Sequence, residues 1–257
     1  MTRTLEGKRA LVTGGAKGIG YGIAEALLAH GAHVALLGRD EAALAAAFRA
    51  LSPRGRVITG VGDVTDRAAI EAAMDAAKAE LSGLDILVNN AGVGGPNGCA
   101  LPGPDRFDLL MRTNVDGVFY CSRHAARLLP DGGRIVSLSS VLGRFGVPGY
   151  TGYCASKHAV IGMMKALALE LAPRRITVNT ICPGWVETDM ARESMERIAL
   201  SMGTSYENAR KSTLAAVPLG RILQPREIGE LVAWLCSDAA SGMTGQALMH
   251  DGGQVMW

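Results

Sequence analysis

Tyr153 and Lys157 stand four residues apart at the start of a predicted helix, so their side chains share one helical face. A phenol, with an ordinary pKa of about 10, exchanges protons poorly at neutral pH unless a nearby cation favours the phenolate. The ammonium of Lys157 is predicted to supply that charge and so to tune Tyr153. Ser140, thirteen residues before Tyr153, ends a predicted strand and would hold a substrate oxygen by a hydrogen bond.

These three side chains predict that Tyr153 exchanges a proton with a carbonyl or alcohol oxygen while a hydride moves to or from the same group. The alternative is structural: an amphipathic helix with a surface lysine, and a serine that caps the end of a strand. Tyr150 cannot replace Tyr153, because the residue four positions after it is Cys154.

A glycine-rich loop follows the first predicted strand, and a helix begins inside it. The loop reads Thr13-Gly14-Gly15-Ala16-Lys17-Gly18-Ile19-Gly20. Glycines permit a tight turn and a close approach of the backbone to a pyrophosphate, and the amides at the start of the helix favour negative charge. In this strand–loop–helix context the sequence predicts a dinucleotide site that includes Gly14, Lys17, Gly18, Ile19 and Gly20.

The end of the second predicted strand indicates which dinucleotide binds. Gly38 occupies the position where an acidic residue would bind the 2′-hydroxyl of NAD, and Arg39 follows it. Arg39 and Lys17 together would pair with a 2′-phosphate, so NADP(H) is predicted. If both cations are instead solvated and Asp40 turns inward, the cofactor is NAD(H). After the third strand, Asp63-Val64 would accept from the adenine amino group, although Asp63 is equally suited to cap a helix.

Short apolar runs alternate with helical patterns along nearly the whole chain, which is typical of a parallel sheet covered on both faces. The predicted strands are Arg9–Thr13, His33–Leu37, Val57–Val61, Ile86–Asn89, Arg134–Ser139, Ile176–Ile181 and Ala247–His250. The predicted helices are Gly18–Ala29, Glu41–Leu51, Arg67–Leu81, Asp105–Leu129, Tyr153–Ala172 and Pro225–Cys236. The fold class is therefore α/β, a doubly wound Rossmann-type fold with about seven parallel strands.

Residues 1–257 show no linker that would separate two domains, so a single dinucleotide-binding catalytic domain is expected. The segment 186–218 lies outside the strand–helix alternation and follows the sixth strand. It is predicted to be a substrate lid. An apolar pocket beneath it would be lined by Phe145, Tyr150, Trp185, Met190, Met195 and Met202.

Composition excludes several classes of protein. A net charge of +2 without a basic run argues against nucleic acid as a partner, and no uninterrupted apolar segment is long enough to cross a membrane. The chain holds five cysteines in no paired spacing, which predicts a reducing, cytoplasmic location. Five histidines lie in no ligand spacing, so no metal site is expected.

The motifs occur in the order and spacing of a known family. Thr13-Gly14-x-x-x-Gly18-x-Gly20, Asn89-Asn90-Ala91-Gly92, Asn114, Ser140, Tyr153-x-x-x-Lys157 and Pro183-Gly184 together resemble the short-chain dehydrogenase/reductases of about 250 residues, over essentially the whole chain. The segments 153–160, 181–188 and 217–221 look most like 3-oxoacyl and aromatic-polyketide ketoreductases, although Val93-Gly94-Gly95-Pro96 only loosely matches a stretch of some polyketide reductases.

The resemblance implies further roles. Asn114 would hold a helix open around a water that relays protons to Lys157, and Lys157 would also bind the nicotinamide ribose. Thr188 would contact the carboxamide, and the adenosine side would be lined by Asn90, Ala91 and Gly92. The same resemblance places Pro183, Gly184 and Val186 at the cofactor.

The predicted activity is thus NADP(H)-dependent reduction of a ketone, or the reverse oxidation of a secondary alcohol, on a substrate that an acyl carrier could hold. The resemblance also implies a homotetramer, and Trp257 at the apolar C-terminus would pack across a subunit boundary. Two alternatives remain open: an NAD-dependent alcohol dehydrogenase and a nucleotide-binding scaffold without turnover.

Overall fold

In this computed structural model, which describes residues 4–100 and 103–256, seven parallel strands form one sheet in the order β3-β2-β1-β4-β5-β6-β7. The strands are β1 Arg9–Thr13, β2 His33–Gly38, β3 Val57–Val61, β4 Ile86–Asn89, β5 Arg134–Leu138, β6 Thr177–Pro183 and β7 Ala247–His250. The order reverses between β1 and β4, so a crevice opens at the carboxyl ends of these two strands. Trp257 lies outside the described residues.

Nine helices connect and follow the strands in the described part of the chain. They are α1 Gly18–Ala29, α2 Glu41–Leu51, α3 Arg67–Leu81, α4 Phe107–Met111, α5 Gly117–Leu128, α6 Thr151–Leu171, α7 Asp189–Met202, α8 Tyr206–Ala215 and α9 Pro225–Cys236. Two hydrophobic clusters cover the two faces of the sheet. One contains residues of α1, α2 and α9, and the other contains residues of α3, α5 and α6. The predicted doubly wound α/β fold is confirmed.

Helices α1 and α9 approach each other through glycine. A Cβ placed on Gly229 of α9 would lie 2.3 Å from the carbonyl oxygen of Gly22 in α1, and a Cβ on Gly22 would lie 2.4 Å from the backbone of Pro225. Only residues without side chains fit at this crossing. The contact holds the first helix, and with it the loop after β1, against the body of the domain.

Five predicted elements have wrong boundaries. Strand β2 ends at Gly38 rather than Leu37, and α6 spans Thr151–Leu171 rather than 153–172. The single helix predicted over 105–129 is divided into α4 and α5 by a π-helical turn at Arg112–Asp116. The helix continues on both sides of the π turn, so the apolar pattern still indicates one helix over this range. Strand β5 ends at Leu138 rather than Ser139, and β6 runs over Thr177–Pro183 rather than 176–181 because its last residues pair with β7.

The segment 186–218 contains the two helices α7 and α8, which the sequence did not predict individually. Thr188 caps the start of α7, and Ser205 caps the start of α8. A small hydrophobic cluster that includes Met195 and Ile222 lies beneath them. No helix in residues 4–100 and 103–256 is both long and apolar enough to span a membrane.

Candidate active site

The side chains predicted to do chemistry converge at the carboxyl ends of β5 and β6. Ser140 follows β5, and Tyr153 lies in the first turn of α6; both line one cavity of about 360 Å³. Ser140 accepts a hydrogen bond at Oγ from the amide of Leu142 (3.1 Å), which fixes its side chain. The geometry therefore places two hydroxyl groups together at one cavity wall.

Lys157 lies one helical turn after Tyr153 and is almost fully buried, with 7% of its surface exposed. Its Nζ donates to the carbonyl oxygen of Leu138 at 3.0 Å and stands 5.7 Å from the centre of the Tyr153 ring. Burial lowers the pKa of Lys157 to about 8. The ammonium form still predominates at neutral pH, but the margin is small.

The pKa of Tyr153 is raised to about 12, chiefly because burial disfavours the phenolate, while a hydrogen bond with Ser140 lowers it. In the polypeptide alone, desolvation is the largest influence, and Lys157 is not among the causes of the shift. That Lys157, together with the cationic ring of a bound dinucleotide, makes this phenol acidic stays a prediction. Spacing along a helix indicates proximity, but it gives no measure of burial. Tyr153 is consequently protonated throughout the neutral range.

Asn114 lies in the π-helical turn and bonds to the strand–loop segment beside it. Its Oδ1 accepts from the amide of Val93 (2.9 Å), and its Nδ2 donates to the carbonyl of Val93 (3.0 Å) and to Ser156 Oγ (3.0 Å). Ser156 in turn donates to the carbonyl of Tyr153 at 2.8 Å. The widened turn thus joins the segment after β4 to the helix that carries Tyr153 and Lys157.

The glycine-rich loop has the backbone that an anion site requires. Gly14 and Gly18 adopt left-handed conformations, with φ of 63° and 53°. Helix α1 begins after Lys17 without any side chain capping its free amides. An uncapped helix start beside a glycine turn fits a pyrophosphate, so the residues present suit a dinucleotide.

Two of the predicted cofactor residues serve the loop itself. Asn90 donates through Nδ2 to the carbonyl oxygens of Thr13 and Gly14, each at 3.0 Å. A Cβ on Gly20 would lie 2.2 Å from the carbonyl oxygen of Gly14, so glycine is required for the loop to pack on α1. Asn90 and Gly20 do not line the cavities described at this edge of the sheet, whereas Ala91 and Gly92 line one of them.

A second cavity, of about 140 Å³, lies where the adenosine end of a dinucleotide would bind. Its walls include Gly14, Arg39, Asp63, Val64, Ala91 and Gly92, all of which the sequence predicted as cofactor residues. Thr113 also lines it, and its buried hydroxyl has no partner within the described residues. This residue escaped the sequence analysis, although it directly precedes Asn114. An unpaired buried hydroxyl in a cavity wall is consistent with a polar ligand.

The two cations predicted to bind a 2′-phosphate each pair with a carboxylate. Lys17 Nζ lies 2.9 Å from Asp40, and Arg39 lies 3.3 Å from Asp63. Asp40 also accepts from the amide of Ala43 at the start of α2, so it caps this helix. The pKa of Asp40 is lowered chiefly by its hydrogen bond from Lys17. Burial raises the pKa of Asp63, but the hydrogen bonds from Thr65 and the interaction with Arg39 outweigh burial, so this pKa is lowered as well.

Asp63 does not cap the third helix. Its Oδ1 accepts from the amide and the hydroxyl of Thr65, both at 2.9 Å, while Asp66 caps α3 by accepting from Ala69. Of the two roles that the sequence left open for Asp63, the helix cap is wrong. The role toward adenine stays a prediction.

The cavity lined by Ser140 and Tyr153, called the catalytic cavity below, also contains residues that were predicted to bind the cofactor. Its lining includes Ile19, Pro183, Gly184, Val186 and Thr188. Thr188 donates to the carbonyl of Val186 at 3.2 Å and accepts from Ala191 at 3.2 Å. Lys17 and Gly18 lie on the neighbouring surface, where they line a third depression together with Thr188.

The pocket prediction was right in part. Phe145, Tyr150, Trp185 and Met190 line the catalytic cavity. Met195 does not, because it is buried in the cluster beneath α7, and Met202 is 58% exposed at the end of that helix. Hydrophobicity alone did not separate these positions. Ser139, Ser194 and Gln254 line the cavity as well and were not predicted.

No group of three or more His, Cys, Asp or Glu side chains suited to a metal ion occurs among residues 4–100 and 103–256. The side chains and backbone described at this site offer hydroxyl groups, one amine and backbone amides. These are groups that bind a dinucleotide and transfer protons.

Comparison with known proteins gives consistent matches over the whole chain. Residues 14–254 match the family described as enoyl-(acyl carrier protein) reductase. The chain is 40% identical over 255 residues to the 3-oxoacyl-[acyl-carrier-protein] reductase FabG of Salmonella typhimurium, which covers 98% of this chain and 99% of that protein. It is 41% identical over 249 residues to granaticin polyketide synthase putative ketoacyl reductase 1 of Streptomyces violaceoruber (95% of this chain, 92% of that protein).

The solved structures agree. A variant of actinorhodin polyketide ketoreductase with NADPH superimposes with a TM-score of 0.92 at 37% identity and covers 100% of both chains. A blue fluorescent protein from a metagenomic library, in complex with NADPH, has a TM-score of 0.88 at 32% identity and covers 98% of this chain and 100% of that one.

Proposed function

The chain belongs to the short-chain dehydrogenase/reductase family, and from that premise we propose that it reduces a ketone to a secondary alcohol with NADPH. The observation that supports the proposal is a shared cavity. Ser140 and Tyr153 line the same cavity as Pro183, Gly184 and Thr188, which were predicted to lie at the cofactor. The family relationship and the NADPH in two related structures support the choice of cofactor.

NADPH would lie along the carboxyl edge of the sheet. Its pyrophosphate would bind the loop from Gly14 to Gly20 and the free amides at the start of α1. The adenosine would occupy the cavity between Arg39 and Gly92, and the nicotinamide would reach the cavity of Tyr153. The cofactor supplies the hydride that goes to the carbonyl carbon.

Two side chains of the protein would bind and protonate the carbonyl oxygen of the substrate. Ser140, fixed by the amide of Leu142, donates its proton in a hydrogen bond to that oxygen. Tyr153, whose pKa of about 12 keeps it protonated at neutral pH, donates the proton that completes the alcohol. Tyr153 is left as a phenolate, which the ammonium of Lys157 stabilises at 5.7 Å from the ring.

The substrates that we propose are 3-oxoacyl or polyketide-like ketones held by an acyl carrier. This proposal rests on the relatives, which include a 3-oxoacyl-[acyl-carrier-protein] reductase and a polyketide ketoacyl reductase at 40% and 41% identity. Helices α7 and α8 would act as the lid, because Met190 and Ser194 of α7 line the catalytic cavity. We further propose a cytoplasmic homotetramer; five free cysteines agree with a reducing compartment.

The decisive test is Tyr153→Phe, which removes one oxygen from the site. NADPH oxidation is followed with a panel of 3-oxoesters, diketones and cyclic ketones. Turnover should fall by about 10²- to 10⁴-fold, the usual contribution of a positioned general acid. NADPH affinity, measured by fluorescence titration, should stay within a few-fold.

Tyr120→Phe is the matched control, because it deletes the same atom from a tyrosine of α5 that packs on the hydrophobic cluster and lines neither cavity of the site. Its turnover should equal that of the wild type. Retention of more than a tenth of the activity by Tyr153→Phe would refute the assigned chemistry. Tight NADPH binding without turnover of any ketone would indicate a scaffold, and a preference for NADH would indicate the NAD-dependent alternative.

A further inference from the structure

The catalytic cavity contains one buried polar atom that the protein leaves unpaired. Gln254 lines this cavity, and its Oε1 is buried without a hydrogen-bond partner in the described part of the chain. Buried side-chain oxygens are nearly always paired, because an unpaired one has lost its bonds to water and gained nothing. This oxygen is not exposed to solvent in the structure, so it regains a bond when the Gln254 amide turns toward a ligand in the cavity that the residue lines.

The other hydroxyl groups of the cavity wall differ from Gln254 in this respect. Ser139 donates to the carbonyl of Lys157 (2.9 Å), Thr188 to that of Val186 (3.2 Å), and Ser194 to that of Met190 (2.8 Å). Ser140 is committed to the reacting oxygen in the proposed mechanism. Tyr150 and Trp185 also bring polar atoms to this wall, but among its described lining residues Gln254 is the one with a buried oxygen that lacks a partner, which favours it for a second part of the substrate.

A rigid turn holds Gln254 in place. The carboxylate of the buried Asp251 accepts from the amides of Gly253 (3.0 Å) and Val255 (2.8 Å), on both sides of Gln254. Gly252 and Gly253 have φ of 70° and 87°, conformations that glycine adopts readily. The turn is also bonded to the end of the 186–218 segment, because the amide of Leu219 donates to the carbonyl of Gly252 at 3.1 Å. A side chain on such a support can select a ligand group by position.

The rest of the cavity sets the chemistry of the ligand. Its wall is aromatic and aliphatic, with Phe145, Tyr150, Trp185 and Met190 among its members, and none of its described lining residues is Asp, Glu, Lys or Arg. A charged substrate group would lose its hydration here without gaining a counter-charge. The group that meets Gln254 must therefore be uncharged.

We propose that Gln254 is a specificity-determining residue that accepts a hydrogen bond from an uncharged donor, an amide N–H or a hydroxyl, carried by the ketone substrate apart from its reacting carbonyl. This inference rests on the proposed ketone reduction. It narrows the substrate class to apolar ketones with one neutral hydrogen-bonding group. A site built around such a bond discriminates strongly against the analogue that lacks the donor.

The test compares two ketones of the same shape, one with an amide N–H and one with a methylene in its place. For each enzyme, kcat/KM with NADPH is measured for both ketones, and the value for the amide ketone is divided by the value for the methylene ketone. Gln254→Met keeps the length of the side chain and removes the acceptor, so the ratio should fall about tenfold in favour of the methylene ketone. Gln246→Met, the same change at an exposed site before β7, should leave the ratio at the wild-type value.

The outcomes separate the two proposals. An unchanged ratio in Gln254→Met, or an equal loss for both ketones, would overturn the role of Gln254 while leaving ketone reduction intact. A wild-type protein that reduces neither these ketones nor the wider panel would refute the proposed function and this inference together. A fallen ratio with unchanged NADPH affinity supports the inference, because a merely structural role would affect both ketones alike.

Discussion

Burial of Lys157 predicts a specific dependence of stability on pH. The pKa of this ammonium is lowered from 10.5 to about 8 because the folded protein desolvates it. Between these two values the unfolded chain binds more protons than the folded protein, so folding becomes more favourable as pH rises through this window. Below pH 8 the charged form is present in both states, and its full desolvation cost opposes folding.

The magnitude follows from the shift. At about 1.4 kcal/mol per pKa unit, the full effect is about 3 kcal/mol, and roughly 2 to 3 kcal/mol of it should develop between about pH 7 and pH 10. Lys157→Met has no titrating group. The variant also loses the hydrogen bond to Leu138, but a neutral amine donates that bond as well, so its loss gives a constant offset. The wild-type minus variant free energy of unfolding should therefore rise with pH.

The assay is urea unfolding of both proteins at equal concentration, followed by circular dichroism at steps of about one pH unit. Measurements stop near pH 10, because Cys121, Cys236 and Tyr153, with pKa values raised to about 12, destabilise the folded state once these groups ionise in the unfolded chain. This effect is common to both proteins and cancels in their difference. Lys165→Met, at an exposed lysine of the same helix, serves as the control and should leave the pH profile unchanged. A wild-type minus Lys157→Met difference that stays flat would refute the burial argument.

Three further substitutions test the cofactor site and its supports. Arg39→Ala should lower the ratio of kcat/KM with NADPH to that with NADH by about tenfold or more, since one charged hydrogen-bond donor to the 2′-phosphate is lost; an unchanged ratio would contradict the assignment. Gly20→Ala places a methyl group 2.2 Å from the carbonyl oxygen of Gly14, so NADPH affinity and melting temperature should both fall, measured by titration and thermal unfolding. Asn114→Ala leaves the amide and carbonyl of Val93 unpaired, so the free energy of unfolding measured with urea should fall by about 2 kcal/mol. An unchanged free energy of unfolding would contradict this structural role.

The fold was predictable because its signal is repeated. Each strand and helix indicates its own burial through its apolar pattern. The boundaries of β1, β4, α1 and α9 agree with the predicted ones. The interruption at Arg112–Asp116 was missed, since a π turn depends on the bonds that Asn114 makes to a distant segment. Long-range hydrogen bonds leave no local pattern in the sequence.

The site was predictable where motif spacing fixes geometry, and less so where burial decides. Ser140 and Tyr153 share a cavity as expected from their positions after β5 and in α6. The pKa of Tyr153 in the polypeptide could not be read from motif spacing, because it depends on solvent exclusion by the whole domain. Gln254 was invisible for a related reason: its place in the cavity depends on a turn held by Asp251, far along the chain from the catalytic motifs.

The ion pairs at the adenosine end have a consequence for cofactor choice. Lys17, Asp40, Arg39 and Asp63 form a group of four whose formal charges cancel. In the proposed complex, a 2′-phosphate would displace these resident anions instead of neutralising bare cations, and the two displaced carboxylates would stay nearby as repulsive neighbours. Selectivity at this corner would then be set by how much better a phosphate fits the guanidinium and ammonium than the carboxylates already do.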